Sequence, residues 1–327
     1  MSTAPALAAI LFASCAMAWL PASAQAQPAA PAPRPPSDYS KPEAVRHMNA
    51  ASAAGGEQWR RAVDYFCKPG NSPNAAHDPL IWPRPLFDNV HILGRTSTVV
   101  YAVRTSAGIV LIDAGDSVTE DQLEAQMKTA GLSPADIKYV FIAHGHGDHY
   151  GGARALQQKY GARIAVSMAD WQTMAEAERR TPGSTPKQDV VLEEGKPVTV
   201  GDFTITPVLI PGHTPGSMAF IFPVKDGGRT YNAGLFGGTI LLHDRISNDN
   251  LALYVRSIER YRAVAERMNV EVEVQNHPLF DDMWQKQFKL ETRKPGDPHP
   301  FVVGQAGYGR FLTVMSECAQ AHRAARP

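Results

Sequence analysis

The sequence predicts an α/β protein built as a four-layer αββα sandwich, in which two β-sheets pack face to face and helices cover the outer surfaces. Three observations carry this expectation. From Asn89 onward, short runs rich in branched residues follow one another, each stopped by glycine or a charged turn. After Val118, segments of helical period alternate with them. The second half of the chain then repeats the same order.

The first strands are "NVHILG", "STVVYAVR" and "GIVLIDAG", a meander feeding one sheet. Val118 to Ala130 has helical period, "IKYVFIAH" reads as a buried strand, Gly151 to Tyr160 as a helix, "RIAVS" as a strand and Asp170 to Arg180 as a helix that ends in the loop "TPGSTP". In the second half, "KPVTVGDFTITPVLIPGH" gives strands around a Gly-Asp turn, and "GSMAFIFPV" and "RTYNAGLF" follow. A long helix over Leu251 to Met268, the strand "VEVEVQNH" and a closing helix over Gln305 to Ala324 complete the order. No internal period of roughly 20 to 50 residues recurs, which excludes a solenoid.

Composition narrows the classes further. A hydrophobic content of 44 % with 20 % charge is that of a globular protein with a full core. Lysine plus arginine equals aspartate plus glutamate, 32 against 32, so no global field recruits nucleic acid or an anionic membrane. Met1 to Ala26 has no charged residue, an apolar run from Ala6 to Leu20 and small-residue triplets behind it, the pattern of a cleavable signal peptide over residues 1–26. A periplasmic or secreted protein is therefore expected. No other stretch approaches the ~20 apolar residues of a membrane span, so stable membrane insertion is not expected. Residues 27–75 read as a Pro/Ala-rich linker and an N-terminal extension of two short helices, and residues 76–327 as the main domain. Beyond the signal, Cys67 and Cys318 form either one disulfide or two separate buried thiols. Neither lies near the histidines described next, which argues against a cysteine nucleophile or a zinc thiolate.

The stretch "FIAHGHGDHYGG", Phe141 to Gly152, places three of the eleven histidines and an aspartate within six positions. His144 and His146 alternate beyond a strand end, so an extended backbone lets them converge on one point. Gly145 and Gly147 let the chain curl, and Asp148 and His149 then offer donors to a neighbouring point. Imidazole nitrogen and carboxylate oxygen suit zinc, at about 2.0–2.2 Å. Four donors do not complete two metal shells, so others must come from elsewhere. "LIPGHTPGS" supplies His213 between two Pro-Gly pairs, and "VEVEVQNHP" ends in His277, held extended by the proline after it. His243 in "TILLHDR" competes for the last place, and strand-then-turn placement favours His277.

The His144-to-His149 motif, the loop around His213 and the late strand-end His277 together resemble the metallo-β-lactamase superfamily, in element order over about Leu86 to His277. The resemblance implies the metallo-β-lactamase fold and two Zn(II) ions. His144, His146 and His213 would hold the first, and Asp148, His149 and His277 the second. Asp113 in "LIDAG" matches the family's buried carboxylate, which accepts an imidazole N–H and fixes the ring; capping the helix near Val118 is the other role open to it. Glyoxalase II and related lactonases carry a bridging aspartate between the fourth and last histidines, whereas this chain has "YNAGLFGG" and no carboxylate from Thr230 to His243. Subclass B1 and B2 enzymes need a cysteine there, also absent. The ligand set is thus similar to that of the subclass B3 β-lactamases. Those enzymes usually place serines in the stretch read as Gly234 to Gly238, and their replacement by Gly234, Phe236 and two further glycines predicts a wider, more apolar pocket.

The implied function is an exported dinuclear zinc hydrolase, a B3-like β-lactamase opening the β-lactam amide of a small-molecule substrate with a zinc-activated water. Asp148 would orient the water, Tyr150, Asn232 and Thr214 would offer hydrogen bonds to the substrate, and Gly234 and Phe236 would line its pocket. Trp82 and Trp171 are candidates for apolar lids or for packing. A lactonase or other ester or amide hydrolase is the alternative. A zinc-binding protein without turnover is disfavoured, because a structural zinc is closed by four ligands.

Overall fold

Helix formation at the start of the fold follows from its punctuation. Pro42 opens α1 (Pro42–Gly55) where a missing N–H costs nothing, Gly56 at φ 51° ends it, and α2 (Arg60–Phe66) follows. The computed structural model describes residues 37–68, 78–116, 120–241 and 246–327. The expected signal at 1–26, most of the linker and His243 lie outside the described residues.

The first sheet has seven strands in sequence order. β1 (Arg84–Phe87), β2 (Val90–Gly94), β3 (Val99–Thr105) and β4 (Gly108–Ile112) pair antiparallel. Then β5 (Ile137–Phe141), β6 (Arg163–Ser167) and β7 (Val190–Leu192) add in parallel. The parallel strands require crossovers, supplied by α3 (Glu120–Thr129), the single turn α4 (Gly147–Tyr150) with α5 (Ala153–Tyr160), and α6 (Met168–Arg180). The second sheet runs β12-β11-β10-β9-β8. Its strands are β8 (Val198–Val200), β9 (Phe203–Leu209), β10 (Met218–Asp226), β11 (Arg229–Phe236) and β12 (Val270–Val274). Only β11 and β12 pair in parallel here, joined through α7 (Asn248–Arg267). The chain closes with α8 (Met283–Glu291) and α9 (Gly304–Ala325).

Three apolar layers explain why the strands read as continuous hydrophobic runs. In β3, Val99, Tyr101 and Val103 enter the layer between the sheets, and Val100 and Ala102 enter the layer under the helices that follow β4 to β6. The third layer lies between the second sheet and α1, α2, α7 and α9. This is the four-layer αββα sandwich that the sequence predicts. The short strand β7, the single turn α4 and helix α8 were not expected from sequence, since three or four residues carry too little periodicity and α8 is bracketed by irregular, charge-rich chain.

Ala51, Trp59, Ala62 and Phe66 of the N-terminal extension belong to the same core layer as Phe311, Leu312 and Met315 of α9, and residues 36–327 form one unit. A Cys67–Cys318 disulfide ties the end of α2 to α9 across 251 residues of sequence, which resolves the two alternatives for these cysteines. Paired Cys67→Ser and Cys318→Ser substitutions, or reduction, should cost on the order of 3–5 kcal/mol and lower the melting temperature by several degrees in calorimetry.

Behind the last strand, Glu273, Asp281 and Lys286 form a buried charge cluster, with Lys286 3.0 Å from Glu273 and 4.0 Å from Asp281. Burial, reinforced by Glu273, pushes the Asp281 carboxyl up to about 7. A carboxyl raised above its unfolded value near ~3.9 binds more protons in the fold, so its contribution to stability is full below about pH 4 and is lost as pH rises through about 7. Asp281→Asn should therefore raise the melting temperature relative to the parent at pH 8, and the gain should shrink at pH 6.

Candidate metal centre

The ends of β5, β9 and β12 deliver the donors to one edge of the sandwich. His144 follows β5, His146 is the N-cap of α4, and Asp148 and His149 sit in that single turn. His213 lies in the loop after β9 and His277 just after β12. His213 Nε2 is 3.0 Å from both His144 Nε2 and His146 Nδ1. Alongside, His149 Nε2 is 3.0 Å from His277 Nε2, and the Asp148 carboxylate is 3.5 and 3.7 Å from these two atoms. The rings of His144 and His149 are 3.9 Å apart between centroids, so the two groups adjoin.

Tautomers identify what these contacts are. His149 Nδ1 lies 2.7 Å from the Asp113 carboxylate, and His277 Nδ1 lies 2.7 Å from the Ser97 carbonyl. Each Nδ1 therefore carries a proton, and in the neutral rings both Nε2 atoms present lone pairs to one another. Two lone pairs at this distance are reconciled by a cation between them, and a tetrahedral ion with bonds of about 2.0–2.1 Å sets its ligands roughly 3.3 Å apart. The donors present thus fit a metal ion at each group.

Electrostatics favour the neutral form for every ring of the two groups except His149. Burial, with the neighbouring imidazoles, holds His144 and His213 well below the usual histidine range and brings His277 down to about 4. His146 is lowered for the same reasons. Burial also opposes protonation of His149, but Asp148 and Asp113 outweigh it and raise that ring. Burial would raise Asp148, yet His149 and His277 bring it down to about 2. Four imidazoles are therefore held neutral at pH 7, their lone pairs available, and a carboxylate stands beside them.

A model of the metallo-beta-lactamase superfamily matches residues 93–227. That stretch resembles the metallo-beta-lactamase superfamily. Among solved structures, BJP-1, a subclass B3 metallo-beta-lactamase of Bradyrhizobium japonicum, superimposes with TM-score 0.60 at 26 % identity, covering 78 % of this chain and 93 % of that one. FEZ-1 from Legionella gormanii shares the fold with TM-score 0.59 at 23 % identity, over 73 % and 93 %. By sequence, the chain is 28 % identical over 176 residues to an atrochrysone carboxyl ACP thioesterase of Emericella nidulans, covering 52 % of this chain and 50 % of that protein. It is 32 % identical over 111 residues to a hydroxyacylglutathione hydrolase of Cereibacter sphaeroides, covering 33 % and 39 %. The chain thus spans half or less of these two relatives.

Within this metallo-beta-lactamase fold the six expected metal ligands meet, and Asp113 stands behind His149. Asp113 also accepts from Ala143 N at 2.8 Å and from Asn276 Nδ2 at 3.1 Å, in a left-handed backbone at φ 62°. Five other expectations are corrected. Thr214 spends its hydroxyl on Asp170 and Ser217. Tyr150 is buried in the helix-side layer with Leu123 and Leu156. Asn232 donates to the Met268 carbonyl at 2.6 Å, at the end of β11 away from the donors. Phe236 packs edge-on against Tyr254 and Tyr261, and a side chain at Gly234 would strike the Tyr261 and Tyr308 hydroxyls. Along an extended strand alternate residues face opposite layers, so residues 234 and 236 point to the helices. The part of this stretch that reaches the donors is Gly238, whose Cβ would lie 2.8 Å from His213 Cβ. Trp171 is a packing residue, donating to the Val190 carbonyl, while Trp82 is 69 % exposed.

Three supporting groups were not found from sequence. The Ser97 carbonyl is a backbone atom and left no signal. Asn276 adjoins His277 but looks like any strand-end polar residue. Asp170 had a signal, since Ser167 and Asp170 have the spacing of a helix cap. Replacing Asp113 by Asn removes the charge that holds the His149 proton. The expected outcome is a loss of about 10–100-fold in metal affinity at the Asp148–His149–His277 group, read by competition with a chromophoric chelator, with the other group unchanged.

Proposed function

We propose that the protein is an exported dinuclear zinc hydrolase with a subclass B3-like ligand set, acting on the amide of a β-lactam. The observation that carries the reading is the pair of adjoining three-donor groups, with a glycine at 238 where no bridging side chain fits beside His213. Nitrogen and carboxylate donors without a thiolate favour zinc, and three protein ligands per ion leave positions for water and substrate. When bound, the ions supply a nucleophilic water at neutral pH and polarise the scissile carbonyl.

The chain's own groups do the positioning. Asp148 is ionised and 45 % exposed along its side chain, so it faces the incoming water and accepts its proton-bearing side as a hydrogen bond. Asp113 and the Ser97 carbonyl keep the His149 and His277 protons on Nδ1, leaving Nε2 as donor to an ion. A cavity of about 250 Å³ opens beside Asp148 and His277, with Val100, Ala114 and Leu123 in its wall. Asp78 and Asp116 also line it, and Arg95 in its wall is already bonded to the Asp78 carbonyl and to Gln122, so the cavity offers an anionic substrate group little attraction. Export is supported by the Cys67–Cys318 disulfide, which belongs to an oxidising compartment. Among the described residues, no helix is long and apolar enough to cross a membrane.

A second reading changes only the substrate, to a lactone, ester or thioester. It is favoured by the names of the thioesterase and hydroxyacylglutathione hydrolase relatives and by the bare glycines at 237 and 238, which offer no side chain to a β-lactam carboxylate. The deciding experiment is a hydrolysis panel of β-lactams, lactones and thioesters on protein of measured zinc content. Chelator-sensitive turnover of nitrocefin is the expected result, and His277→Ala should drop zinc from two equivalents toward one and turnover by at least about 100-fold. Turnover confined to thioesters or lactones replaces the β-lactamase reading, and zinc-replete protein inactive on the whole panel removes both.

A further inference from the structure

We propose that Asp170 is the positioning residue of the His144–His146–His213 group, a buried carboxylate that clamps the two histidine loops together by their backbones. The proposal rests on the reading that this group binds a metal ion, and goes beyond it by naming what sets its geometry.

The two groups are held in different ways. In the second, the rings themselves are tied, His149 by Asp113 and His277 by the Ser97 carbonyl. In the first, His213 is tied to the Ile240 carbonyl, but His144 is 1 % exposed and its Nδ1 has no hydrogen-bond partner among the described residues. A ring without such a partner takes its orientation from its backbone. His144 and His213 belong to loops 69 residues apart in sequence that approach from different sheets. Something must fix the distance between those loops.

Asp170 does this with both carboxylate oxygens. Oδ2 accepts the Gly145 N–H at 2.8 Å, the peptide between His144 and His146, and also the Thr214 hydroxyl at 2.7 Å, next to His213. Oδ1 accepts the Gly216 N–H at 3.1 Å in the same loop as His213. The residue is fully buried, and its own position is set by the helix start, where Ser167 Oγ accepts the Asp170 N–H at 3.2 Å. Ser167 Oγ in turn donates to the Gly216 carbonyl at 2.7 Å. Bonds to an ionised acceptor are roughly twice as strong as neutral ones and directional, so one side chain sets the spacing of both loops.

An amide cannot reproduce this arrangement. In Asp170→Asn one oxygen becomes an NH2 donor, and in either orientation it meets an N–H of Gly145 or Gly216, leaving a buried donor unpaired. Thr214→Val removes only one of the bonds and keeps the volume. The two substitutions therefore define a graded series.

The test measures metal binding, not turnover. Cobalt(II) and zinc affinities are taken for Asp170→Asn and Thr214→Val in two backgrounds, His277→Ala, which leaves the first group, and His213→Ala, which leaves the second. The melting temperature of the metal-free proteins is recorded alongside. The expected result is a loss of about 10–100-fold at the first group for Asp170→Asn, a smaller loss for Thr214→Val, and no change at the second group. The visible cobalt spectrum of the first group should shift as its tetrahedral geometry relaxes. Unchanged affinity at the first group, or equal losses at both groups tracking a lowered melting temperature, overturns the clamp. Failure of the parent protein to bind metal at either group would instead bring down the functional reading, and the clamp with it.

Discussion

Lone pairs converging on two adjacent points are the constraint around which this molecule is organised. Imidazoles whose Nδ1 protons are already committed to a carboxylate and a carbonyl have nowhere to turn their Nε2 atoms except toward each other. Such a cluster is unfavourable by itself and favourable around cations. The sandwich must therefore be stiff enough to hold the rings at about 3 Å against their repulsion, a rigidity that packed interiors supply and loops alone do not.

That rigidity has visible sources. The donors follow the ends of β5, β9 and β12, whose residues are built into the three apolar layers. The left-handed backbone at Asp113 aims its carboxylate at Ala143 N and His149 together, a local strain maintained by the bonds it makes. At the opposite face of the second sheet, the disulfide and the α1, α2 and α9 layer secure the helices behind β12, the strand that leads into His277.

Structure and sequence relatives point to one scaffold and different chemistries. The structural likeness to subclass B3 metallo-beta-lactamases covers most of both chains, whereas the thioesterase and hydroxyacylglutathione hydrolase matches cover a third to a half of this chain. A shared fold does not fix the reaction, which depends on the donors and on the walls of the pocket. Here those walls are a glycine pair beside His213 and a cavity beside His277 that mixes apolar side chains with Asp78, Asp116 and Asp148.

Much of the candidate metal centre is legible in the sequence. Donors of the right chemistry at strand ends, with glycine and proline around them, are local features, and local features survive in a one-dimensional string. The same holds for the order of the long strands and helices, whose periodicity accumulates over many residues. Which face of a strand meets the site is not local. Phe236 and Gly234 belong to a strand that passes near the donors, but the alternation of the pleat turns them to the helices, and only Gly238, past the end of β11, reaches His213. Asn232, Tyr150 and Thr214 lie close to ligand segments in sequence, yet burial has committed them to the Met268 carbonyl, the helix-side core and Asp170. By itself the sequence determined the donor set, the fold class and the absence of a bridging carboxylate or thiolate at the expected stretch. Tertiary structure alone decided how the rings are oriented, that Cys67 meets Cys318, and that Asp170 joins two loops far apart in the chain, because hydrogen bonds and packing select partners by distance in space.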